Sequence, residues 1–212
     1  MYQVETSTHR VGGQDIHVRA LLDRQQHHDP DGVAERLGIS SAQWSLFGVL
    51  WPAGLALAVE MGDFPVAGKR ILELGCGLGL ASLVLQQRGA DITASDYHPL
   101  AQDFLEHNAR LNGLGHIPFH AAPWAGEALD LGRFDLVIGS DLLYERDHPA
   151  LLAGFVSRHA HPASQVVLTD PGRGQRGRFG AQMTAQGYVT TGRRVSFQDQ
   201  VALGHVLTYT RA

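Results

Sequence analysis

A glycine-rich segment between residues 73 and 79 is the clearest candidate for ligand binding in the sequence. Glycines occupy positions 75, 77 and 79 and Glu73 precedes them, which gives the pattern E-x-G-x-G-x-G. Glycines allow a tight turn and let a ligand approach the backbone closely, here beneath the N-terminus of a helix. A dinucleotide fingerprint needs G-x-G-x-x-G, and its last glycine would fall on Leu80 or Ser82. The spacing therefore argues against a nicotinamide-dependent oxidoreductase.

A carboxylate follows the next apolar run, in Ser95-Asp-Tyr-His98. Asp96 would stand at the end of a strand beside the glycine-rich segment, where a carboxylate can accept both hydroxyls of a ribose. The alternative is that Asp96 only caps a helix opened by Pro99. The position at a strand end favours the ribose-binding role.

The elements that must position these residues alternate along the chain from Arg70 onward. We predict strands at Ile71–Leu74, Ile92–Ser95, Ile117–Ala121, Phe134–Ser140 and Val166–Asp170. Helices are predicted from Pro52, at Leu80–Arg88, Pro99–Asn112 and Asp147–Ala160, and around Phe179 and Met183. Residues 2–22 and the tail Tyr188–Thr210 have the composition of β-hairpins. The order predicts an α/β fold with a doubly wound, mostly parallel sheet and an N-terminal β-hairpin extension.

Glu73–Gly79 followed by Asp96 resembles the class I, seven-stranded S-adenosylmethionine-dependent methyltransferases. The later segment Asp141-Leu-Leu-Tyr144 resembles the D-x-x-Y signature of the methyltransferase-like protein-lysine methyltransferases. The resemblance covers roughly residues 44–175. It implies a seven-stranded Rossmann-like sheet, S-adenosyl-L-methionine as the cofactor, and methylation of a lysine side chain of a protein substrate.

The resemblance also implies roles for the glycine-rich segment. Gly75, Cys76 and Gly77 would line the methionine portion of the cofactor, and Gly79 would complete the cofactor-binding turn. Glu73 would anchor either the loop or the amino group of the cofactor. The thiol of Cys76 is better interpreted as a small turn residue than as a nucleophile, because no base lies beside it in the sequence.

Five further positions are implied to contact the cofactor. Asp96 would hold the ribose, and Tyr97 would lie against the adenine. Trp124 would pack near the adenine edge, Trp51 would border the cofactor from the N-terminal side, and Ser140 would face it with its backbone. Each tryptophan taken singly is also typical of a core residue.

The implied catalytic residues are Asp141 and Tyr144, just past the buried strand Phe134–Ser140. A lysine acceptor must lose a proton before it can attack, because its free pKa is ~10.4. Asp141 and nearby backbone carbonyls would then orient the neutral amine. The ring of Tyr144 would form a pocket wall that tolerates the transferred positive charge. The turn before Arg173 is interpreted either as a plain strand-end turn or as a contact for an acidic substrate surface.

Composition excludes several other classes of protein. The net charge is -4 without a basic run, which disfavours nucleic acid as a partner. One cysteine excludes an internal disulfide and favours a reducing compartment. The N-terminus lacks an apolar signal segment, and the apolar stretch Leu46–Val59 is too short to span a bilayer, so we expect a cytoplasmic protein that does not bind membranes. The twelve histidines show no recognisable ligand spacing, so no metal is expected.

The length predicts one domain at residues 46–212, with a hairpin and linker elaboration at residues 1–45. Three alternatives to a protein-lysine methyltransferase stay open at this point. The nearest is N-methylation of a small, nicotinamide-like molecule. The other two are a dinucleotide-dependent oxidoreductase and a binding module without catalytic activity.

Overall fold

A computed structural model describes residues 1–125, 129–196 and 203–212 of the chain. The strands are β1 (Val4–Val11), β2 (Gln14–Leu21), β3 (Arg70–Leu74), β4 (Asp91–Asp96), β5 (Phe119–Ala121), β6 (Phe134–Ser140), β7 (Ala160–Asp170), β8 (Val189–Ser196) and β9 (Leu203–Arg211). The α-helices are α1 (Val33–Arg36), α2 (Pro52–Asp63), α3 (Leu80–Gln87), α4 (Ala101–Leu111), α5 (His148–His159) and α6 (Arg176–Ala185), and a 3₁₀ helix covers Trp44–Gly48. The predicted α/β class is confirmed.

Seven strands form one sheet in the order β5-β4-β3-β6-β7-β9-β8. The pairs that join β5, β4, β3, β6 and β7 are parallel, whereas β9 is antiparallel to both of its neighbours. The predicted doubly wound, mostly parallel sheet with a C-terminal hairpin is therefore confirmed. Residues 197–202, which connect the two strands of that hairpin, lie outside the described residues.

The chain winds in opposite directions on the two sides of the β3–β6 contact. β4 and β5 extend the sheet from β3, and β7 extends it from β6. Ligands of such sheets bind beyond the carboxyl ends of the strands at this switch point. The loops after β3, β4, β6 and β7 consequently meet at one edge of the sheet.

The predicted N-terminal hairpin is present, since β1 and β2 pair antiparallel along their whole length. Two asparagine side chains, Asn108 of α4 and Asn112 directly after it, bind the backbone of β2. The N–H of Arg19 donates to Oδ1 of Asn108 at 2.7 Å, and the N–H of His17 donates to Oδ1 of Asn112 at 2.8 Å. Side chains four positions apart on a helix point in the same direction, and so do backbone N–H groups two positions apart on a strand. The two asparagines can therefore bind the N–H groups of His17 and Arg19 at the same time.

Asn108 also ties the hairpin to the glycine-rich segment. It is fully buried, and its Nδ2 donates to the carbonyl oxygen of Leu78 at 3.0 Å. Hairpin side chains such as Ile16 and Val18 belong to the same buried cluster as Leu57 and Leu83. The division of the chain at residues 45 and 46 stays a prediction.

The stretch Trp44–Asp63 is long and apolar enough to cross a membrane by length and composition alone, with a mean hydropathy of 1.4. It is divided into the 3₁₀ helix and α2 by extended backbone at Val49 and Trp51. Pro52 opens α2 as its first residue, as predicted, because the first turn of a helix needs no N–H at that position. The apolar side chains of Trp44 and Met61 are buried in the core.

Candidate active site

The loops at the carboxyl edge of the sheet enclose a cavity of about 690 Å³. Eleven of the twelve residues predicted for the site line it, namely Trp51, Glu73, Gly75, Cys76, Gly77, Asp96, Tyr97, Trp124, Ser140, Asp141 and Tyr144. The exception is Gly79, which is the residue before α3 and has φ 77°. A Cβ there would lie 2.3 Å from Cδ1 of Leu105, so Gly79 faces the packed helix α4 and not the cavity.

The glycine-rich segment forms a wall of the cavity with its backbone. Gly75 and Gly77 have φ of 58° and 53°, a left-handed conformation that glycine adopts readily. A Cβ on Gly77 would lie 2.7 Å from the carbonyl oxygen of Phe47, and one on Gly75 would lie 2.7 Å from Cδ2 of Leu142. The turn is therefore pressed between two neighbouring segments, and no side chain separates its backbone from a ligand.

Asp96 ends β4 and holds this turn in place. The N–H of Gly77 donates to Oδ2 of Asp96 at 2.8 Å, and the N–H of His98 donates to Oδ1 at 2.8 Å. Burial raises the pKa of Asp96, and the backbone N–H groups that it accepts oppose that rise. Each oxygen keeps a lone pair for a further donor from the cavity.

Asp96 does not cap the following helix, which was the alternative role. Helix α4 begins at Ala101, two residues later than predicted, and no side chain caps its N-terminus. The N–H of Leu100 instead lies 3.2 Å from Nδ1 of His98. The carboxylate thus belongs to the cavity and to the turn at Gly77.

Glu73 anchors the loop from within the sheet. It is 3% exposed, and its Oε2 accepts the N–H of Ser82 at 2.9 Å and the Ser82 hydroxyl. Burial raises the pKa of Glu73 to about 7, although the two donors from Ser82 lower it. Of the two roles predicted for Glu73, the structure displays the anchoring of the loop to α3.

Cys76 lies in the same wall and is buried. Its N–H donates to the carbonyl oxygen of Ser95 at 2.9 Å, which ties the turn to β4. Burial, followed by the charges of Asp96 and Glu73, raises the pKa of the Cys76 thiol well above its usual value. The thiol stays protonated at neutral pH, which fits a turn residue and not a nucleophile.

Three of the aromatic side chains that border the cavity were predicted to contact the cofactor, and two of these three are tied to other segments. Nε1 of Trp51 donates to the carbonyl oxygen of Leu46 at 2.9 Å, so its polar group is satisfied within the chain. The hydroxyl of Tyr97 donates to the carbonyl oxygen of Leu37 at 2.5 Å, which joins the loop after β4 to the segment after α1. Trp124 is half-buried and meets the ring of His148 edge-on, with 5.2 Å between centroids.

The loop after β6 carries Asp141 and Tyr144. Asp141 has φ 53°, and no other non-glycine residue of the described chain has a positive φ. Its N–H donates to the carbonyl oxygen of Thr169 at 2.8 Å, so the neighbouring strand β7 fixes the turn. Backbone strain of this kind is concentrated at functional sites in proteins.

The carboxylate of Asp141 is ion-paired, which the sequence did not indicate. Nε of Arg173 donates to Oδ1 at 2.6 Å and Nη2 donates to Oδ2 at 2.8 Å. The pair raises the pKa of Arg173, chiefly through the hydrogen bond to Asp141. Arg173 also lines the cavity, so its guanidinium belongs to the site.

Tyr144 is 44% exposed at the mouth of the cavity. Burial raises its pKa, and the nearby carboxylates, Asp96 first among them, add to the rise. Its ring meets the ring of His148 edge-on, with 4.5 Å between centroids. The hydroxyl therefore stays protonated at neutral pH.

His148 lines the cavity without having been predicted to do so, and so do five residues of the segment before α2, namely Gly38, Ile39, Gln43, Leu46 and Phe47. Nδ1 of His148 lies 2.7 Å from the carbonyl oxygen of Leu142. A carbonyl can only accept, so Nδ1 carries the proton and Nε2 keeps a lone pair in the neutral ring. Nothing in the sequence marks this histidine, because it follows the D-x-x-Y segment as an ordinary helix-starting residue.

Within the described ranges 1–125, 129–196 and 203–212, no three His, Cys, Asp or Glu side chains are grouped so that they could hold a metal ion. The site is built from backbone, two carboxylates, an ion pair and aromatic rings.

Proteins of known structure share this fold. A 16S rRNA methyltransferase of T. thermophilus, solved with AdoMet and guanosine, aligns with a TM-score of 0.66 and 18% identity over 99% of this chain and 51% of that one. The magnesium protoporphyrin IX methyltransferase of Synechocystis, solved with SAH, aligns with a TM-score of 0.58 and 18% identity over 74% of this chain and 80% of that one. At such identities the likeness concerns the fold alone.

Relatives in sequence are more informative. The chain is 32% identical over 136 residues to the electron transfer flavoprotein β subunit lysine methyltransferase of Xenopus laevis, which covers 62% of this chain and 53% of that protein. It is 36% identical over 142 residues to the protein N-lysine methyltransferase METTL21A of Danio rerio, over 63% of this chain and 61% of that protein. The chain thus spans between half and two thirds of the length of these relatives.

A family model described as lysine methyltransferase matches residues 37–178, which include the glycine-rich turn, Asp96, Asp141 and Arg173. The chain therefore belongs to the lysine methyltransferase family.

Proposed function

We propose that the protein is an S-adenosyl-L-methionine-dependent methyltransferase that acts on a lysine side chain of a protein substrate. The observation that carries the proposal is the placement of two carboxylates at one cavity. Asp96 accepts the N–H of Gly77 at 2.8 Å on one side, and Asp141 follows β6 on the other. The first suits a nucleoside, and the second suits an amine that must be oriented beside it. The family match supports the same activity.

The residues of the cavity fit the cofactor. A volume of about 690 Å³ lies within the range of cofactor sites in proteins, roughly 300–1,000 Å³. Asp96 would accept the ribose hydroxyls with its remaining lone pairs, and the ring of Tyr97 would lie against the adenine. Trp51 and Trp124 would border the nucleoside, and the backbone at Gly75 and Gly77 would line the methionine portion with Ser140 facing it.

When bound, the cofactor supplies a methyl group that its sulfonium already activates for direct displacement by a nucleophile. The chain then has to exclude water, align the acceptor nitrogen and allow it to lose a proton. Asp141 and neighbouring backbone carbonyls would accept hydrogen bonds from the amine. Tyr144 would offer its ring face to the charge that arrives on the nitrogen.

A protein is the favoured acceptor for two reasons. The named relatives are a lysine methyltransferase of the electron transfer flavoprotein β subunit and a protein N-lysine methyltransferase. The cavity mouth is bordered by the half-exposed rings of Tyr97 and Tyr144, which a protein surface could cover.

The net charge of -4 gives no support for a nucleic-acid substrate. The single, unpaired cysteine supports a reducing compartment such as the cytoplasm.

Calorimetric titration tests the cofactor. We expect S-adenosyl-L-methionine and its demethylated product, S-adenosylhomocysteine, to bind with one site per chain, and nicotinamide dinucleotides not to bind. Binding of a nicotinamide dinucleotide without binding of S-adenosyl-L-methionine would contradict the proposal.

Transfer of tritium from labelled cofactor into a cell extract tests the acceptor. After the reaction, the extract is separated by size into protein and small molecules, and hydrolysed protein is searched for methylated lysine. We expect the label in protein, on lysine, and absent when Asp141→Asn replaces the wild type. Label in small metabolites alone would favour the N-methylation of a nicotinamide-like molecule.

A further inference from the structure

Asp141 is half of an ion pair at the rim of the cavity. Both of its oxygens accept N–H groups from one guanidinium, at 2.6 Å and 2.8 Å. Side-by-side pairing of this kind is the strongest and most directional contact between arginine and a carboxylate. The side chain of Asp141 is 12% exposed and that of Arg173 is 42% exposed. The cavity therefore presents a neutral pair at this place and not a bare negative charge.

The backbone on both sides holds the pair in place. β6 and β7 lie side by side with Ser140 opposite Thr169, so the loops that follow them leave the sheet together. The N–H of Asp141 is bound by the Thr169 carbonyl, and the N–H of Arg173 donates to Oδ1 of Asp170 at 2.9 Å. Two loops that are each fixed to β7 thus bring the charges together.

This pairing matters for a lysine acceptor. An opposite charge within a few ångströms favours the charged form of an amine and typically shifts its pKa by about 1–3 units. A bare carboxylate would therefore hold the incoming side chain as an ammonium, which has no lone pair with which to attack. A guanidinium on the same carboxylate cancels that effect. The carboxylate oxygens keep further lone pairs and can still accept a hydrogen bond from a neutral amine.

We propose that Arg173 is a positioning residue that acts through Asp141. Its charge neutralises the carboxylate, so that the acceptor lysine gives up its proton to bulk water and is oriented as a neutral amine. The nitrogen then forms a bond to the methyl carbon while the bond from that carbon to sulfur breaks, and the positive charge passes from sulfur to nitrogen. The inference rests on the proposed function, because it assumes an amine acceptor at Asp141.

Other charged and titratable groups surround the pair. They are Asp96 at the end of β4, Tyr144 and Glu145 after β6, His148 at the start of α5, Asp170 at the end of β7, and Arg176 at the start of α6. Among the described residues, Arg173 alone forms an ion pair with Asp141. Its removal should consequently change the charge that the acceptor experiences, while these groups stay in place.

The test compares Arg173→Met with Arg173→Lys across pH. Tritium incorporation into the proteins of one extract is measured at saturating S-adenosyl-L-methionine from pH 6.5 to 9.5, and each variant's initial rate is divided by the wild-type rate at the same pH. We expect the Arg173→Met ratio to be about 0.01–0.1 near pH 7 and to rise towards 1 as the pH rises, because a stabilised ammonium deprotonates at higher pH. Arg173→Lys keeps the charge but loses the side-by-side geometry, and its ratio should stay above about 0.2 and be flat.

Arg178→Met serves as the matched control, since Arg178 is exposed on α6 and its side chain bonds only Gln175 among the described residues. Calorimetry should find the same affinity for S-adenosylhomocysteine in all variants, which separates the expected effect from a misfolded site. A loss in Arg173→Met that is independent of pH would overturn the inference and indicate a structural role. An unchanged rate would overturn it as well. Failure of the proposed function is a different result, in which the wild type labels no protein at any pH, and it would overturn both.

Discussion

The backbone N–H of Ser82 lies 2.9 Å from Oε2 of Glu73, and the Ser82 hydroxyl donates to the same oxygen. Ser82 belongs to the first turn of α3, whereas Glu73 belongs to β3, so the contact closes the glycine-rich turn from below. The carboxyl group is buried, and its pKa is raised to about 7. This pair has a consequence for stability that can be measured.

Glu73→Gln should change the pH dependence of unfolding. An unfolded glutamate has a pKa of ~4.3, so between that pH and about 7 the folded protein binds more protons than the unfolded chain, and stability falls as the pH rises. Glutamine can still accept both bonds from Ser82 but carries no charge to desolvate. The difference in free energy of unfolding between the variant and the wild type should therefore rise by roughly 2–3 kcal/mol, in favour of the variant, as the pH increases from 4.5 to 8, measured by urea unfolding. Glu106→Gln on α4, where the side chain is only half-buried, is the control, and a parallel pH dependence of Glu73→Gln and wild type would refute the prediction.

Asp96→Asn should weaken cofactor binding. Both oxygens of Asp96 accept backbone N–H groups, and the amide nitrogen of asparagine would have to face one of those donors, which disturbs the turn at Gly77 or the loop at His98. The amide nitrogen also cannot accept a ribose hydroxyl, and a donor left unsatisfied in the complex costs about 1–3 kcal/mol, which corresponds to a roughly 10- to 100-fold lower affinity for S-adenosylhomocysteine in calorimetry. Asp91→Asn, at the exposed start of the same strand, should bind like the wild type. Equal affinities for both variants would exclude Asp96 from the cofactor site.

Asp141→Asn should separate binding from turnover. Asparagine tolerates the left-handed backbone at this position, so the loop is expected to keep its shape while the ion pair with Arg173 is lost. We expect the rate of label transfer to fall by about 100-fold or more, with cofactor affinity within a few-fold of wild type. Asp147→Asn, at the N-terminus of α5 and without a capping bond, is the control. A comparable loss of cofactor affinity would contradict the role of Asp141 towards the acceptor.

Asn108→Ala should destabilise the protein and loosen the hairpin. The change removes the acceptor for the Arg19 N–H, in a part-buried bond, and the donor to the Leu78 carbonyl, in a buried one. We expect a loss of about 2–4 kcal/mol in urea unfolding, together with faster hydrogen exchange in β2. Asn112→Ala removes the equivalent bonds to His17 at an exposed position and should cost less than about 1 kcal/mol. Similar losses for the two variants would show that the burial of Asn108 is unimportant.

The part of the cavity that we propose to hold the cofactor could be located from the sequence, because its residues are close in the chain. Glu73, Gly75, Gly77 and Asp96 lie on two consecutive strand–loop units, and the spacing within one such unit fixes where its loop emerges. Gly79 was predicted with them, and its role differs because helix α4 approaches it from outside the segment. The spacing of residues within the segment thus predicted the glycine-rich turn, but it did not predict that helix α4 packs against Gly79.

The acceptor side depended on contacts between distant residues. Asp141 and Arg173 are 32 residues apart, and their ion pair follows from the adjacency of β6 and β7, which no local pattern encodes. Strand β7 is longer than predicted for a similar reason. It begins at Ala160 and not at Val166, and its residue Ser164 pairs with Arg211, the last residue of β9. The short helix α1 and the 3₁₀ helix were also not predicted, because neither is long enough to display a periodic pattern.

Strand β9 lies between β7 and β8 but follows both in the chain. During synthesis from the N-terminus, one edge of β7 therefore waits without its partner until residues 203–211 have left the ribosome. Asp170, which holds the turn before Arg173, is paired with His205 in that late strand. The nascent protein should accordingly complete the glycine-rich turn after β3 well before it completes the loop after β7 that carries Arg173. An unfinished chain would carry an unpaired strand edge that is prone to association with other chains.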